Sequence, residues 1–178
     1  MKPIIRLITE QDIDATHTYF SAIFAEHLPT LITRERPQAP EVSAEYIRSH
    51  LGDHSAIFIA IIGSQVVGNI AVTRQTLGEL RHRASLGMSV AQAWRRQGIG
   101  RALLQHAVAW ASTQGIERIE LEVTTNNPAG IAFYESAGFV REGIRPRAIK
   151  RNGGYIDLFA YALEIAGPSQ PIACDPSL

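Results

Sequence analysis

The chain has 178 residues, and its 17 lysines and arginines balance its 17 aspartates and glutamates. This neutral balance gives no general attraction to nucleic acid or to an anionic membrane, so we expect neither as a partner. Cys174 is the single cysteine, which leaves no disulfide framework and no cysteine metal site, and we expect a cytoplasmic protein without a metal. The length predicts one domain over residues 1–165, followed by a flexible, proline-rich tail over residues 166–178.

Hydrophobic periodicity and turn residues predict an α+β fold. In the first half, the predicted elements are a strand at 4–8, a helix at 11–26, a loop at 27–43, a helix at 44–51 and a hairpin of strands at 56–62 and 65–73. In the second half, they are a loop at 75–83, a strand at 85–90, a helix at 98–114, a strand at 117–124, a short helix after Asn127-Pro128 and a hairpin of strands at 139–150 and 155–163. We expect the first helix to turn Ile13, Phe20 and Phe24 inward.

The segment from Ala93 to Leu104, AWRRQGIGRALL, joins a predicted strand to a predicted helix. The first turn of a helix has free N–H groups and the positive end of the helix dipole, which favour a bound phosphate. Gly98 and Gly100 let the backbone approach an anion without a Cβ in the way. Additional positive charge comes from Arg95, Arg96 and Arg101. The segment predicts a pyrophosphate-binding loop; the alternative is an ordinary helix start whose arginines lie in solvent.

Two other phosphate-binding motifs fit this segment less well. A Walker A loop is excluded because no Gly-Lys-Ser/Thr follows. A Rossmann fingerprint would gain support from Glu120 and Glu122, which lie roughly where a ribose-binding acid would fall. However, Leu103 occupies the position of the third glycine, and no second strand–helix–strand half follows.

Three segments in register, SLGMSV, RRQGIGRALL and NNPAGIAFYESAGF, resemble the GNAT superfamily of acetyl-CoA-dependent N-acetyltransferases. The loop at 95–100 matches the signature Q/R-x-x-G-x-G/A. The later segment matches N-x-x-A/S…Y-x-x-x-G-F through Asn127, Tyr134, Gly138 and Phe139, with Gly130 at the small position. The resemblance extends over nearly the whole chain and is greatest to bacterial small-molecule members. It implies a GNAT fold: one domain with a mixed, mostly antiparallel sheet of about seven strands and flanking helices.

The resemblance also implies acetyl-CoA as co-substrate, with its pantetheine lying along the strand that ends at Val90, like an added strand. We expect backbone groups of this strand to bind the ligand, while the side chains of Met88 and Val90 pack in the core. Asn127 is predicted to cap the short helix, to contact the cofactor, or both. The residues assigned in this way to acetyl-CoA are Met88, Ser89, Val90, Arg95, Arg96, Gln97, Gly98, Ile99, Gly100, Arg101, Asn127 and Tyr134.

By resemblance, Tyr134 occupies the position of the general acid, which protonates the departing thiolate of CoA. The alternative for Tyr134 is an amphipathic side chain with its ring in the core and its hydroxyl in water. For the general base, the predicted candidates are Glu120 and Glu122, on the polar side of a strand beside the cofactor strand. Glu79, His82 and Asp157 are further candidates, and a solvated carboxylate or a salt bridge is the alternative for each acid.

The sequence therefore predicts an enzyme that transfers an acetyl group directly to a primary amine of a small molecule, such as an amino acid. We expect the acceptor pocket to come from residues 27–43, residues 75–83 and the closing hairpin. Two alternatives stay open: acetylation of a protein N-terminus or lysine, and a non-catalytic acyl-CoA sensor. Association into a homodimer also stays open.

Overall fold

One sheet organises the molecule, which is represented here by a computed structural model that describes residues 2–26, 28, 30, 39–52 and 54–165. Its seven strands have the order β1-β2-β3-β4-β5-β7-β6 within this described part. The strands are β1 Ile4–Leu7, β2 Ser55–Ile62, β3 Gln65–Arg74, β4 Arg83–Val90, β5 Arg118–Thr124, β6 Val140–Arg151 and β7 Gly154–Glu164. The helices are α1 Ile13–Ala25, α2 Pro40–Arg48, α3 Ile99–Thr113 and α4 Pro128–Ser136.

Each face of the sheet has its own hydrophobic core. On one face, Ile57 and Ile59 of β2 pack with Tyr19 and Ile23 of α1 and with Ile47 of α2. The opposite face packs against α3 and α4, and its core contains alternate residues of β2, β3, β4 and β5. Because β2 and β3 are covered on both sides, their sequences are almost continuously apolar. We call the face of the sheet that packs against α1 and α2 the α1 face, and the opposite face the α3 face.

A parallel pair, β4 and β5, interrupts the otherwise antiparallel sheet. The two strands are joined only at Arg83–Arg118, Ala84–Ile119 and Ser85–Glu120. Beyond these pairs they diverge, while β5 stays paired with β7 as far as Thr124. The divergence leaves a gap between residues 86–90 of β4 and residues 121–124 of β5, which we call the notch. One edge of β4 in the notch is therefore open to an extended ligand.

The architecture confirms the predicted α+β fold with its meander, its single crossover through α3 and its closing hairpin. The predicted inward face of α1 is confirmed in part. Ile13 and Phe20 pack, half-buried, against the core of the α1 face, but the most deeply buried residues of the helix are Thr16, Tyr19 and Ile23. The second helix begins earlier than predicted, at Pro40, because proline is favoured in the first turn of a helix. The predicted tail at 166–178 and most of the predicted loop at 27–43 lie outside the described residues.

Candidate active site

The notch opens into a cleft of about 1090 Å³. Its walls come from β4, from the loop and first turn of α3, from β5 and from α4. The structure thus brings the three sequence segments singled out above to one cavity. Leu28 and Thr30 also line it, and the hydroxyl of Thr124 donates to the carbonyl of Thr30 at 3.5 Å.

The beginning of α3 has the geometry of an anion site. Gly98, the N-cap residue, has a φ of 81°, a conformation that glycine adopts without strain. The next three residues are the first of the helix, so their N–H groups lack intrahelical acceptors. Arg96 and Arg101 line the cleft, and neither forms an ion pair with a carboxylate within the described ranges. This unbalanced positive charge at a helix N-terminus favours a bound anion such as a phosphate.

Arg95 holds the loop rather than extending into the cleft as a free cation. Its Nε–H donates to the carbonyl of Val90 at 2.8 Å, and its guanidinium forms an ion pair with Glu26 at the end of α1. The other carboxylate oxygen of Glu26 accepts the backbone N–H of Gln92 at 2.8 Å. Glu26 therefore anchors the β4–α3 loop to α1, and the Val90 carbonyl that was predicted for pantetheine already has a donor.

Other residues predicted for the cofactor are arranged as follows. The side chains of Met88 and Val90 pack against the core of the α3 face, as the sequence predicts. The hydroxyl of Ser89 donates to Asn69 Oδ1 at 2.8 Å. The side chain of Ile99 is buried, and exposed Gln97 bonds the carbonyl of Ala93 at 3.2 Å and does not line the cleft. Ile99 and Gln97 therefore have only backbone groups to offer an anion.

Asn127 caps α4, as predicted. Its Oδ1 accepts the N–H of Gly130 at 2.9 Å, and it also lines the cleft. A Cβ at Gly130 would lie 2.5 Å from Asn127 Nδ2, which explains why the small position of the motif is glycine here.

Tyr134 lies in the cleft with its ring fixed between two phenylalanines. The ring centroids of Phe133 and Phe139 lie at 5.2 Å and 5.5 Å from it, both in edge-on geometry. Burial raises the pKa of Tyr134 to about 12. The hydroxyl has no hydrogen-bond partner among the residues that the structure describes. The phenol is therefore neutral, rigidly held and free to donate its proton to a ligand.

The two glutamates predicted as bases lie on the α1 face of β5 and differ in their partners. Both oxygens of Glu120 accept from Arg83, at 3.0 Å and 2.6 Å, and one also accepts from Arg118. Burial acts to raise the pKa of Glu120, but these hydrogen bonds outweigh it and lower the pKa. Within the described part of the chain, Glu122 has a single ion pair, to Arg145 Nε at 2.9 Å. Glu120 is thus committed to salt bridges, the alternative to a base role, and Glu122 is the more available carboxylate.

The further base candidates do not line the cleft. Asp157 accepts the backbone N–H of Arg147 at 2.7 Å and so fixes an irregularity in β6 where Arg147 has a positive φ. Glu79 and His82 are exposed in the β3–β4 connection. The ion pair of Glu122 with Arg145 is the salt-bridge alternative that the sequence left open. Sequence reasoning missed Glu26, because its partners Arg95 and Gln92 are distant in the chain and no local pattern marks them.

A sheet split beside a helix N-terminus, with one edge of β4 open and the half-buried Tyr134 lining the same cleft, suits an extended anionic ligand. A model of the acetyltransferase (GNAT) family matches residues 19–139, and the chain belongs to this family. It is therefore an N-acetyltransferase, as the sequence resemblance implied.

Two curated relatives and one solved structure illustrate the likeness. The chain is 30% identical over 128 residues, 70% of its length and 79% of the relative, to the L-amino acid N-acetyltransferase AaaT of Escherichia coli K12. It is 35% identical over 96 residues, 54% of its length and 63% of the relative, to the ribosomal protein bS18-alanine N-acetyltransferase of the same strain. The structure of yncA from Salmonella typhimurium with its cofactor acetyl-CoA has a TM-score of 0.85, 18% identity, and coverage of 98% of this chain and 100% of that chain.

No helix in the described ranges is long and apolar enough to cross a membrane. Within the same ranges, no cluster of His, Cys, Asp and Glu side chains is arranged to hold a metal ion.

Proposed function

We propose that this enzyme transfers the acetyl group of acetyl-CoA directly to the primary amine of a small molecule, an amino acid or another amine-bearing compound. The observation that carries the proposal is the notch, which joins an anion site, a free strand edge and a neutral tyrosine in one cleft. We also propose that the enzyme is cytoplasmic. Its association into a homodimer stays a prediction.

The cofactor side of the notch is the α3 face. The pyrophosphate would accept hydrogen bonds from the backbone N–H groups in the first turn of α3 and would form ion pairs with Arg96 and Arg101. Gly100 supports this role, because it lines the cleft and a Cβ there would lie 3.1 Å from Cε of Met88, which lines the same cleft. Pantetheine would then pair with the open edge of β4 around Met88, as a further strand.

The acceptor side is the α1 face. Strand alternation and the pairing of Ser85 with Glu120 place one set of β4 and β5 side chains on this face: Ser85, Gly87, Ser89, Glu120 and Glu122. An amine arriving from this face would meet Glu122 before it reaches the notch. The two substrates would therefore approach from opposite faces of the sheet and meet where β4 and β5 diverge.

Bound acetyl-CoA supplies an acetyl thioester, which an amine can attack. Glu122 takes a proton from the acceptor ammonium, directly or through water, so that the nitrogen lone pair can form the new C–N bond. Backbone N–H groups of β4 stabilise the oxyanion. Tyr134 donates its proton to sulfur as the C–S bond breaks, and a second proton from the nitrogen restores the phenol. The products are an N-acetylated amine, CoA thiol and one proton.

Release of CoA thiol, measured with free amino acids, polyamines, aminoglycosides and alanine-ended peptides, tests the proposal. We expect turnover with free small amines. Turnover with peptides alone would contradict it and favour the peptide activity named for the bS18 relative. Binding of acetyl-CoA without turnover of any amine would instead favour the sensor alternative.

A further inference from the structure

Glu122 lies in a row of very small residues on the α1 face of the sheet. In this row, Ala160 of β7 pairs with Glu122, and Gly143 of β6 pairs with Ala160. Gly87 lies across the notch, at the position that would oppose Glu122 if the Ser85–Glu120 register continued. A Cβ at Gly87 or Gly143 would meet no atom within 4 Å. The carboxylate of Glu122 therefore has open space on both sides.

Arg145 is the cation next to this space. Its Nε lies 2.9 Å from Glu122 Oε1, and both residues line the cleft. The Arg145 side chain is 70% exposed and that of Glu122 is 34% exposed, so water competes for the pair and it adds little to stability. By contrast, both carboxylate oxygens of Glu120 accept hydrogen bonds from Arg83, and one of them also accepts from Arg118. Of these two glutamates, Glu122 therefore has the ion pair that a ligand can open.

We propose that the acceptor is an α-amino acid in its zwitterionic form, recognised by the Glu122–Arg145 pair. This inference rests on the proposed function. The ammonium of the acceptor replaces the guanidinium at Glu122, and its carboxylate takes the guanidinium of Arg145, in bidentate geometry. One ion pair is thereby exchanged for two with no change in net charge. The exchange delivers the amine to the base and holds the side chain of the amino acid away from the notch.

The charge arrangement favours this acceptor over an amine without a carboxylate. A peptide N-terminus or a polyamine would occupy Glu122 but would leave Arg145 without an anion, so that Arg145 would compete with the ammonium for Glu122. An amino acid engages both members of the pair. Arg145 is thus a specificity-determining residue, whereas Glu122 serves every amine.

The test compares kcat/KM for amino acids with kcat/KM for the corresponding α-amides, in wild-type enzyme and in Arg145→Gln. We expect the wild type to prefer the acids by at least about 10-fold, the range typical of one charge-assisted contact. Arg145→Gln should lower kcat/KM for the acids by about 10- to 100-fold and leave the KM for acetyl-CoA unchanged. It should raise kcat/KM for the amides modestly, because Arg145 no longer competes with the ammonium for Glu122. Arg145→Lys should restore part of the preference.

The matched control is Arg141→Gln on the same strand, because Arg141 stacks 4.7 Å above the Phe159 ring and does not line the cleft. It should keep the acid-to-amide ratio of the wild type. Equal kcat/KM for acids and amides in the wild type, or an equal loss for both in Arg145→Gln, would overturn the inference while the acetyltransferase proposal stood. No turnover of any free amine would overturn both.

Discussion

Replacing Tyr134 by Phe removes one oxygen atom and leaves the aromatic packing in place. The ring keeps its edge-on contacts with Phe133 and Phe139 at 5.2 Å and 5.5 Å. Since the hydroxyl has no hydrogen-bond partner among the described residues, its removal breaks no bond in the free enzyme. We therefore expect the free energy of unfolding to change by no more than about 0.5 kcal/mol.

The expected effect on catalysis follows from the environment of the phenol. Burial raises the pKa of Tyr134 to about 12, whereas a free thiol has a pKa of about 8.5. In water the phenol would be too weak an acid, but the same burial also disfavours a thiolate beside it and raises the pKa of the thiol. Proton donation then stabilises the departing sulfur. General acid catalysis contributes about 10²–10⁴-fold, so kcat should fall by that factor, equivalent to about 3–5 kcal/mol.

The assay is steady-state kinetics beside calorimetric binding of acetyl-CoA to the same protein. Affinity should barely change, because the anion site and β4 lie elsewhere, and a loss confined to kcat marks an interaction made in the transition state. Tyr161→Phe is the matched control: Tyr161 also lines the cleft, but its hydroxyl donates to Glu135 at 2.8 Å, so kcat should stay within about 3-fold. Full turnover by Tyr134→Phe would refute the acid role, and weaker binding with normal kcat would make Tyr134 a wall of the pocket.

Three further predictions concern the cofactor loop and the fold. Gly100→Val should abolish measurable acetyl-CoA binding with the fold intact by circular dichroism, because the new Cβ would lie 3.1 Å from Met88 Cε and would displace a side chain that lines the cleft. Unchanged affinity by calorimetry would contradict the cofactor assignment. Glu26→Gln should raise the KM for acetyl-CoA by about 10-fold at unchanged kcat, because the substitution removes the ion pair that fixes Arg95 and the β4–α3 loop. An unaltered KM would show that this ion pair does not position the cofactor loop. Hydrogen bonds from Arg6 lower the pKa of Asp12 from 3.8 to about 2. About 2 kcal/mol of the free energy of unfolding, present above pH 4, should therefore be lost as the pH falls to 2. In urea unfolding, Asp12→Asn should lack this pH-dependent part of the free energy.

Local patterns in the sequence predicted the α+β class and the order of its elements, and the family resemblance supplied the architecture of the sheet and most residues of the candidate site. Alternation and turn residues located the strands, because one buried face per strand imposes a period of two on the chain. The loop 95–100 and Asn127 were recognisable because a helix start requires particular residues at neighbouring positions. Each of these features is set by contacts within a few residues, and the structure brings them to one cleft.

Only the tertiary structure decided which charges are committed and which are available. Glu120 and Glu122 are alternate residues of one strand and look equivalent in sequence. Among the residues that the structure describes, Arg83 and Arg118 hold the first, whereas Arg145 alone pairs with the second. The partners of a carboxylate depend on the order and register of strands far apart in the chain. The sequence also did not predict that Tyr19 is among the most deeply buried residues of α1, because its hydroxyl bonds Ser89 of β4, which is distant in the chain. The electrostatics of the cleft therefore depend on ion pairs between residues far apart in the chain, which local sequence patterns do not predict.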